Sequence, residues 1–255
     1  VKLLTLARDL QRRKGRERQN RFVAEGIRTV EALLESPLPV TGLLVTAAAR
    51  TDGRAAALML GAESRGIPVV EVSEAEFASA AGTESPQGIL AVAAIPENPL
   101  GEPPAVARYL VLDALQDPGN VGTVVRTAAA LGVTATLALP GTVDLWNAKV
   151  VRSAMGTLFT HPVVATSWDT VQGFLDAHRI ALWAADGAGE SLDRVEATAL
   201  PPRLALAVGN EGSGLSSQVR AAASRRVAIP MAAGVESLNA AVATGILLHA
   251  LRPRG

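Results

Sequence analysis

The sequence predicts an α/β fold: a parallel-sheet domain preceded by a smaller α/β domain. Three observations lead there. From residue 107 onward, short apolar runs alternate with helix-spaced segments, the pattern of a parallel sheet covered on both faces. The chain has 255 residues, which favours two domains over one. Between the halves lies "IPENPLGEPPA", residues 95–105, with four prolines. Proline at that density stops both helices and central strands. The expected division is therefore 1–95, a linker at 96–106, and 107–255.

In the first part, "IRTVEALLES" has helical spacing, with Ile27, Val30, Leu33 and Leu34 on one side. "GRAAALMLGAES" is also helical. "VTGLLVT", "IPVVEV" and "GILAVAAI" are short β-rich runs. In the second part the expected strands are "YLVLD", "VTATLAL", "RIALWAAD", "RLALAVG" and "RVAIP". The expected helices span 121–131, 146–155, 169–177, 215–223 and 237–252. The last of these is apolar on more than one side and so needs cover on more than one. A second copy of the chain could supply that cover, or the helix could be buried wholly within one subunit.

Composition narrows the function. Hydrophobic residues make up 49% and charged residues 19%, as in a globular protein. There is no cysteine, which excludes disulfides, thiolate metal sites and a Cys nucleophile. His161, His178 and His249 are far apart and form no metal-ligand spacing, so no metal is expected. No apolar run reaches the ~18–20 residues of a membrane span. No secretory signal is visible, and a cytoplasmic location is expected. Net charge is zero, yet residues 1–21 hold eight Lys or Arg against Asp9 and Glu17, a local +6 that leaves −6 elsewhere. Such a segment suits an anionic partner, nucleic acid being the commonest. A solvated basic helix face is the plain alternative.

Ligands of parallel sheets bind outside the carboxyl ends of the strands, so three loops matter most. The first is "DPGNVG". Asn120 is expected to cap the following helix. Arg126 lies four residues after Gly122, where its side chain can lean back toward the strand ends. Pairing with Asp113 or Asp117 is the structural alternative. The second loop, "GNEGSG", has Gly209, Gly212, Gly214 and the single acid Glu211. Its order and late position argue against a dinucleotide fingerprint, and hence against a nicotinamide-dependent oxidoreductase. The third, "IPMAAGVESLNAAVATGILL", ends a strand at Pro230 and opens a helix with Ser237 and Asn239. Either could be an ordinary cap.

Together, "NVGTVVRTAAALG", "GNEGSGL" and "IPMAAGVESLNAAVATGILL" resemble, in order and spacing, the three motifs of the SpoU (TrmH-type) RNA 2′-O-ribose methyltransferases of the SPOUT superfamily. "KVVRSAMGTLFTHPV" at 149–163 resembles a further segment of that family. The close match spans roughly 107–252. Residues 1–95 are similar, less specifically, to the small RNA-binding domain that often precedes it.

The resemblance implies S-adenosylmethionine as methyl donor, a C-terminal trefoil knot, a homodimer, and an rRNA or tRNA substrate, with 23S rRNA favoured. A non-catalytic RNA-binding protein is the other reading. By motif match, cofactor contacts fall on Gly209, Ile229 and Leu238, largely through backbone. The catalytic side falls on Asn120, Arg126, Glu211, Ser237 and Asn239. Lys149, Arg152 and Ser153 are secondary contacts, Arg152 with RNA. Arg12, Arg13, Lys14 and Arg16 of the basic segment are the other expected RNA contacts. A side chain at Gly209 is expected to obstruct the cofactor.

Overall fold

The computed structural model describes residues 2–196, 200–235 and 237–253. Glu236 of the third loop lies outside them. The chain forms two compact units. One comprises residues 1–97 with 146–160, the other 98–145 with 161–255.

The first unit has a four-stranded sheet in the order β1-β4-β2-β3, from β1 (Arg21–Glu25), β2 (Val40–Val45), β3 (Val69–Glu71) and β4 (Ile89–Ala94). Only β2 and β3 run parallel. Three of these strands correspond to the β-rich runs. The fourth, β1, is "RFVAE", a short run flanked by charges that carries no legible alternation. Four of its five residues are buried.

The basic N-terminal segment belongs to the folded unit. It folds into α1 (Lys2–Leu10) and α2 (Arg13–Gln19). Leu4, Ala7 and Leu10 of α1 enter a core with Val23, Phe77 and Leu90. The spacing 4, 7, 10 is an apolar helical stripe inside a basic composition. Arg16 is 4% exposed and donates from Nη1 to the Leu10 carbonyl at 2.7 Å. It secures α1 to α2 and is not placed for a surface contact. Arg12, Arg13 and Lys14 are exposed, with Arg13 paired to Glu17 at 2.8 Å.

Two more helices, α3 (Ile27–Glu35) and α4 (Gly53–Ser64), match the helical readings closely, and the short α5 (Glu74–Ala78) opens on a Ser73–Glu76 capping box. The segment 146–160, whose α7 (Ala148–Ser153) was assigned by sequence to the second domain, packs in the first unit. The aromatic rings explain it. Phe22 of β1 meets Trp146 at 4.6 Å and Phe159 at 5.6 Å between centroids. Sequence distance hid these partners.

The second unit is a six-stranded parallel sheet in the order β10-β8-β9-β5-β6-β7. Its strands are β5 (Ala107–Asp113), β6 (Ala135–Ala138), β7 (Val163–Ala165), β8 (Ala181–Ser191), β9 (Arg203–Gly209) and β10 (Arg225–Ala228). β7 carries no legible pattern, because three residues cannot show a period. Every residue of β5 is buried, as expected for a central parallel strand. The helices are α6 (Pro118–Ala130), α8 (Trp168–Ala177), α9 (Ser217–Ala222) and α10 (Ala240–Leu251). Buried Arg108 fixes the far end of α10. Its Nε donates to the Leu251 carbonyl at 2.7 Å, and Nη1 to the Ala107 and Pro202 carbonyls at 2.9 and 2.8 Å. A cation at a helix C-terminus is favourable with the helix dipole.

His161 is buried and hydrogen-bonded through Nε2 to Thr136 Oγ1 at 2.9 Å. Burial pushes its pKa down to about 4. The unfolded chain protonates this imidazole near its ordinary pKa of ~6.5, so between about pH 6.5 and 4 the unfolded state binds more protons. The stabilising contribution is full above that window and is lost as pH falls through it, by up to about 3 kcal/mol. Urea titrations across the window should show His161→Gln with a shallower pH dependence than wild type. Parallel curves would remove His161 as the cause.

Candidate active site

Asp117, not Asn120, caps α6, accepting from the Asn120 backbone N–H at 2.7 Å. The helix begins at Pro118, a residue suited to a first turn, and this shift leaves the Asn120 amide free. Its Nδ2 donates to Glu211 Oε1 at 3.1 Å, and its Oδ1 accepts from Asn239 Nδ2 at 2.9 Å. Asn239 is itself the cap of α10, its Oδ1 accepting from the Ala241 and Val242 N–H groups at 2.9 and 3.3 Å. Three residues, from the first turn of α6, the 210–214 loop and the cap of α10, thus form one chain of hydrogen bonds, with each amide's orientation set by its neighbour.

Asn210 builds the loop that presents Glu211. Its Nδ2 donates to the Ala114 carbonyl at 2.9 Å, while its Oδ1 accepts from the Gly212 and Ser213 N–H groups at 2.9 and 3.0 Å. Asn210 is not among the expected site residues, although an Asn whose side chain bonds the backbone two residues on is a turn signal. The loop also explains Gly209. A Cβ there would lie 2.3 Å from the Gly214 carbonyl carbon and 2.4 Å from the Leu215 nitrogen. The requirement for glycine at 209 is first intramolecular: a side chain meets the protein's own backbone before it meets any ligand.

A cavity of about 280 Å³ lies at the carboxyl ends of β9 and β10 and beside the middle of β8. Gly209, Glu211, Ile229, Ser237 and Leu238 all line it, together with Asp186. Asp186 was not singled out by sequence, since one acid at the end of an apolar run is unremarked without its neighbours. Its Oδ1 accepts from the Ala188 N–H at 3.0 Å. Its Oδ2 is buried without a hydrogen bond, at 3.5 and 3.7 Å from Arg220 and Arg226. Apolar Val208, Val227 and Leu247 also line it.

Arg126 stands apart from this cluster. It is exposed on α6, whose Val121, Gly122, Val124, Val125 and Ala128 face inward, and it makes no ion pair or hydrogen bond to a described residue. It forms no pair with the nearby acids: Asp117 caps α6, and Asp113 Oδ2 accepts from the Ser216 N–H at 2.7 Å. Arg12, Arg13, Lys14, Arg16, Lys149, Arg152 and Ser153 belong to the first unit. The Ser153 hydroxyl is committed to the Lys149 carbonyl at 2.7 Å. Among the described residues no group of three or more His, Asp or Glu could hold a metal ion.

Residues 107–249 match the model of the SpoU rRNA Methylase family. The chain belongs to this family. Residues 4–91 match the MRM3-like substrate binding domain. Among SpoU relatives, the 23S rRNA (guanosine(2553)-2′-O)-methyltransferase RlmP of Bacillus subtilis is 35% identical, covering 95% of this chain and 93% of its own. The 23S rRNA (uridine(2479)-2′-O)-methyltransferase of Streptomyces viridochromogenes is 32% identical over 96% of this chain and 87% of its own. An AdoMet-bound rRNA methyltransferase from Sinorhizobium meliloti superposes with a TM-score of 0.85 at 26% identity, covering 98% and 93%.

Proposed function

We propose that this SpoU protein transfers a methyl group from S-adenosylmethionine to a ribose 2′-hydroxyl of 23S rRNA. The meeting of Asn120, Glu211 and Asn239 beside the cavity carries the reading. The lining fits this cofactor. Ile229, Leu238 and Leu247 offer an apolar wall, and Asp186 Oδ2, ion-paired with Arg220 and Arg226, keeps an acceptor position without a hydrogen bond. When bound, the cofactor supplies a methyl group activated on a sulfonium.

In this reading Gly209, Ile229 and Leu238 hold the cofactor, and Asn120, Ser237 and Asn239 orient the ribose. Glu211 offers an acceptor for a hydroxyl. Arg126 is no base, since a guanidinium keeps its proton in proteins; it clamps phosphate and the oxygen on which charge develops. Positioning then supplies much of the rate, and the 2′-hydroxyl requirement excludes DNA.

The C-terminal segment is proposed to be threaded as a trefoil knot, and the protein to act in the cytoplasm. Support for the knot is that chain from β8, β9, β10 and α10 converges on one cavity. A homodimer through α6 and α10 is also proposed. Val242 and Ile246 of α10 are 52% and 40% exposed along a groove with Thr123 and Thr127. Arg126, three residues after Thr123, falls on the same side of α6, at the rim of such an interface. Mapping 2′-O-methyl groups in RNA from cells lacking the gene tests the substrate. A missing mark in 23S rRNA is expected; one missing only in tRNA would overturn the rRNA assignment. Light scattering at micromolar concentration should give a dimer, and a monomer there would refute it.

The first unit is proposed to bind RNA, with exposed Arg12, Arg13 and Lys14 contributing. Replacing these three with Gln, and leaving buried Arg16 intact, should weaken RNA binding. It should also flatten its salt dependence by about 0.7–0.9 log units per lost phosphate contact. An unchanged slope would identify α2 as a solvated face.

A further inference from the structure

A second cavity, of about 500 Å³, lies within the first unit, lined by residues including Glu25, Arg28, Arg54, Thr83, Gln87 and Arg152. Its polar groups divide into those already satisfied and those left open. Glu25 accepts from the Gly82 N–H at 2.7 Å and from the Thr83 hydroxyl. Asp52, also on the wall, caps α4 through the Arg54 and Ala55 N–H groups, both at 2.9 Å. Arg54 is paired with Glu31. Glu25 thus uses both carboxylate oxygens, and Asp52 uses Oδ1.

The open charged groups other than Asp52 Oδ2 are donors. Arg28 is exposed and has no ion pair or hydrogen bond to a described residue. Arg152 leaves Nη1 buried and without an acceptor, an arrangement that costs free energy unless a ligand supplies one. The helix α3 opens into the same cavity. Its cap is Gly26, which provides no side-chain bond. Gln87 Oε1 accepts from the Ile27 N–H at 2.9 Å, but the next N–H groups, of Arg28 and Thr29, have no partner of this kind. An uncapped helix N-terminus favours an anion.

The turn that delivers Arg152 is tightly made. Met155, on the cavity wall, has φ +51°, a conformation uncommon outside glycine. Gly156 follows at φ +85°, where a Cβ would lie 2.5 Å from Ala32 Cβ of α3. The segment 152–156 is thereby pressed against the helix whose N-terminus is open. Two guanidinium groups and orphan N–H groups converge on one space.

We propose that this cavity binds a phosphodiester of the substrate RNA, gripped by Arg28, Arg152 and the N-terminus of α3. The proposal rests on the RNA reading above and adds to it a defined phosphate site remote in sequence from the methyl-transfer motifs. A rotation of the Arg152 guanidinium presents Nη1 to the phosphate, and the free Gln87 amide nitrogen offers a further donor to the backbone or ribose.

Two variants test it, each assayed for RNA binding across a salt series, for thermal stability and for S-adenosylmethionine affinity by calorimetry. In Arg28→Gln/Arg152→Gln, RNA affinity should fall about tenfold or more, with a salt slope smaller by roughly one. In Gln87→Glu the carboxylate retains the bond from Ile27 and complements the α3 dipole. That variant should be as stable as wild type or more so, while binding RNA more weakly. Cofactor affinity should not change in either. Unchanged RNA affinity and slope in Gln87→Glu, with wild type binding RNA normally, would overturn the phosphate site and leave the RNA reading intact. Wild type failing to bind any rRNA would overturn both.

Discussion

Arg126→Ala should lower methyl transfer to RNA by about 10²–10³-fold, the scale seen when one donor to a developing oxyanion is removed, while S-adenosylmethionine affinity stays at the wild-type level. The structure makes this a clean experiment. Arg126 is exposed and bonded to nothing among the described residues, and α6 packs through its other face. Alanine is a good helix former, so the fold should not suffer. Arg126 also lies outside the cavity lining, which separates cofactor binding from transfer. Arg126→Lys should fail almost as badly, because a planar fork is replaced by a point charge. Near wild-type turnover in a tritiated-methyl assay would end the catalytic role.

Gly209→Ala should do the reverse, damaging the cavity before any chemistry. The added Cβ overlaps backbone at 2.3–2.4 Å, and backbone cannot step aside as a flexible side chain can. The 210–214 loop must shift, carrying Glu211 away from Asn120. Overpacking of this kind costs about 1–3 kcal/mol, and at this chain length each kcal/mol lowers Tm by roughly 2–4 °C. Calorimetry should show cofactor affinity reduced at least tenfold, and differential scanning a lower Tm. Wild-type values in both would mean that the loop does not need its close approach to Gly209.

Asn120 shows how far the sequence could be followed. Its motif was legible, but the expected cap role fails, although Asn before an apolar helix is the usual cap. Asp117 takes the cap, and only across β5 and β9 does Asn120 meet Glu211, 91 residues away. Asp186 could not be found at all from sequence, since its significance lies in being buried and unbonded beside a cavity. In the basic segment the opposite occurred. Charge was the loud signal and hid the quieter stripe of Leu4, Ala7 and Leu10. Eight cations in one stretch read as a surface, whereas Arg16 is spent inside on the Leu10 carbonyl.

The sequence by itself determined the alternation of strands and helices, the parallel character of the second sheet, the placement of three loops at strand ends, and the family those loops belong to. These are local properties: apolar period, glycine and proline placement, and the spacing within each motif. Tertiary structure alone decided which loop residues touch, that segment 146–160 packs against β1 in the first unit, and that Arg28 and Arg152 share a cavity 124 positions apart in sequence. The reason is physical. Hydrophobic periodicity records which face of an element is buried, but not which element covers it, and hydrogen bonds between loops are set by where the packed core brings their ends.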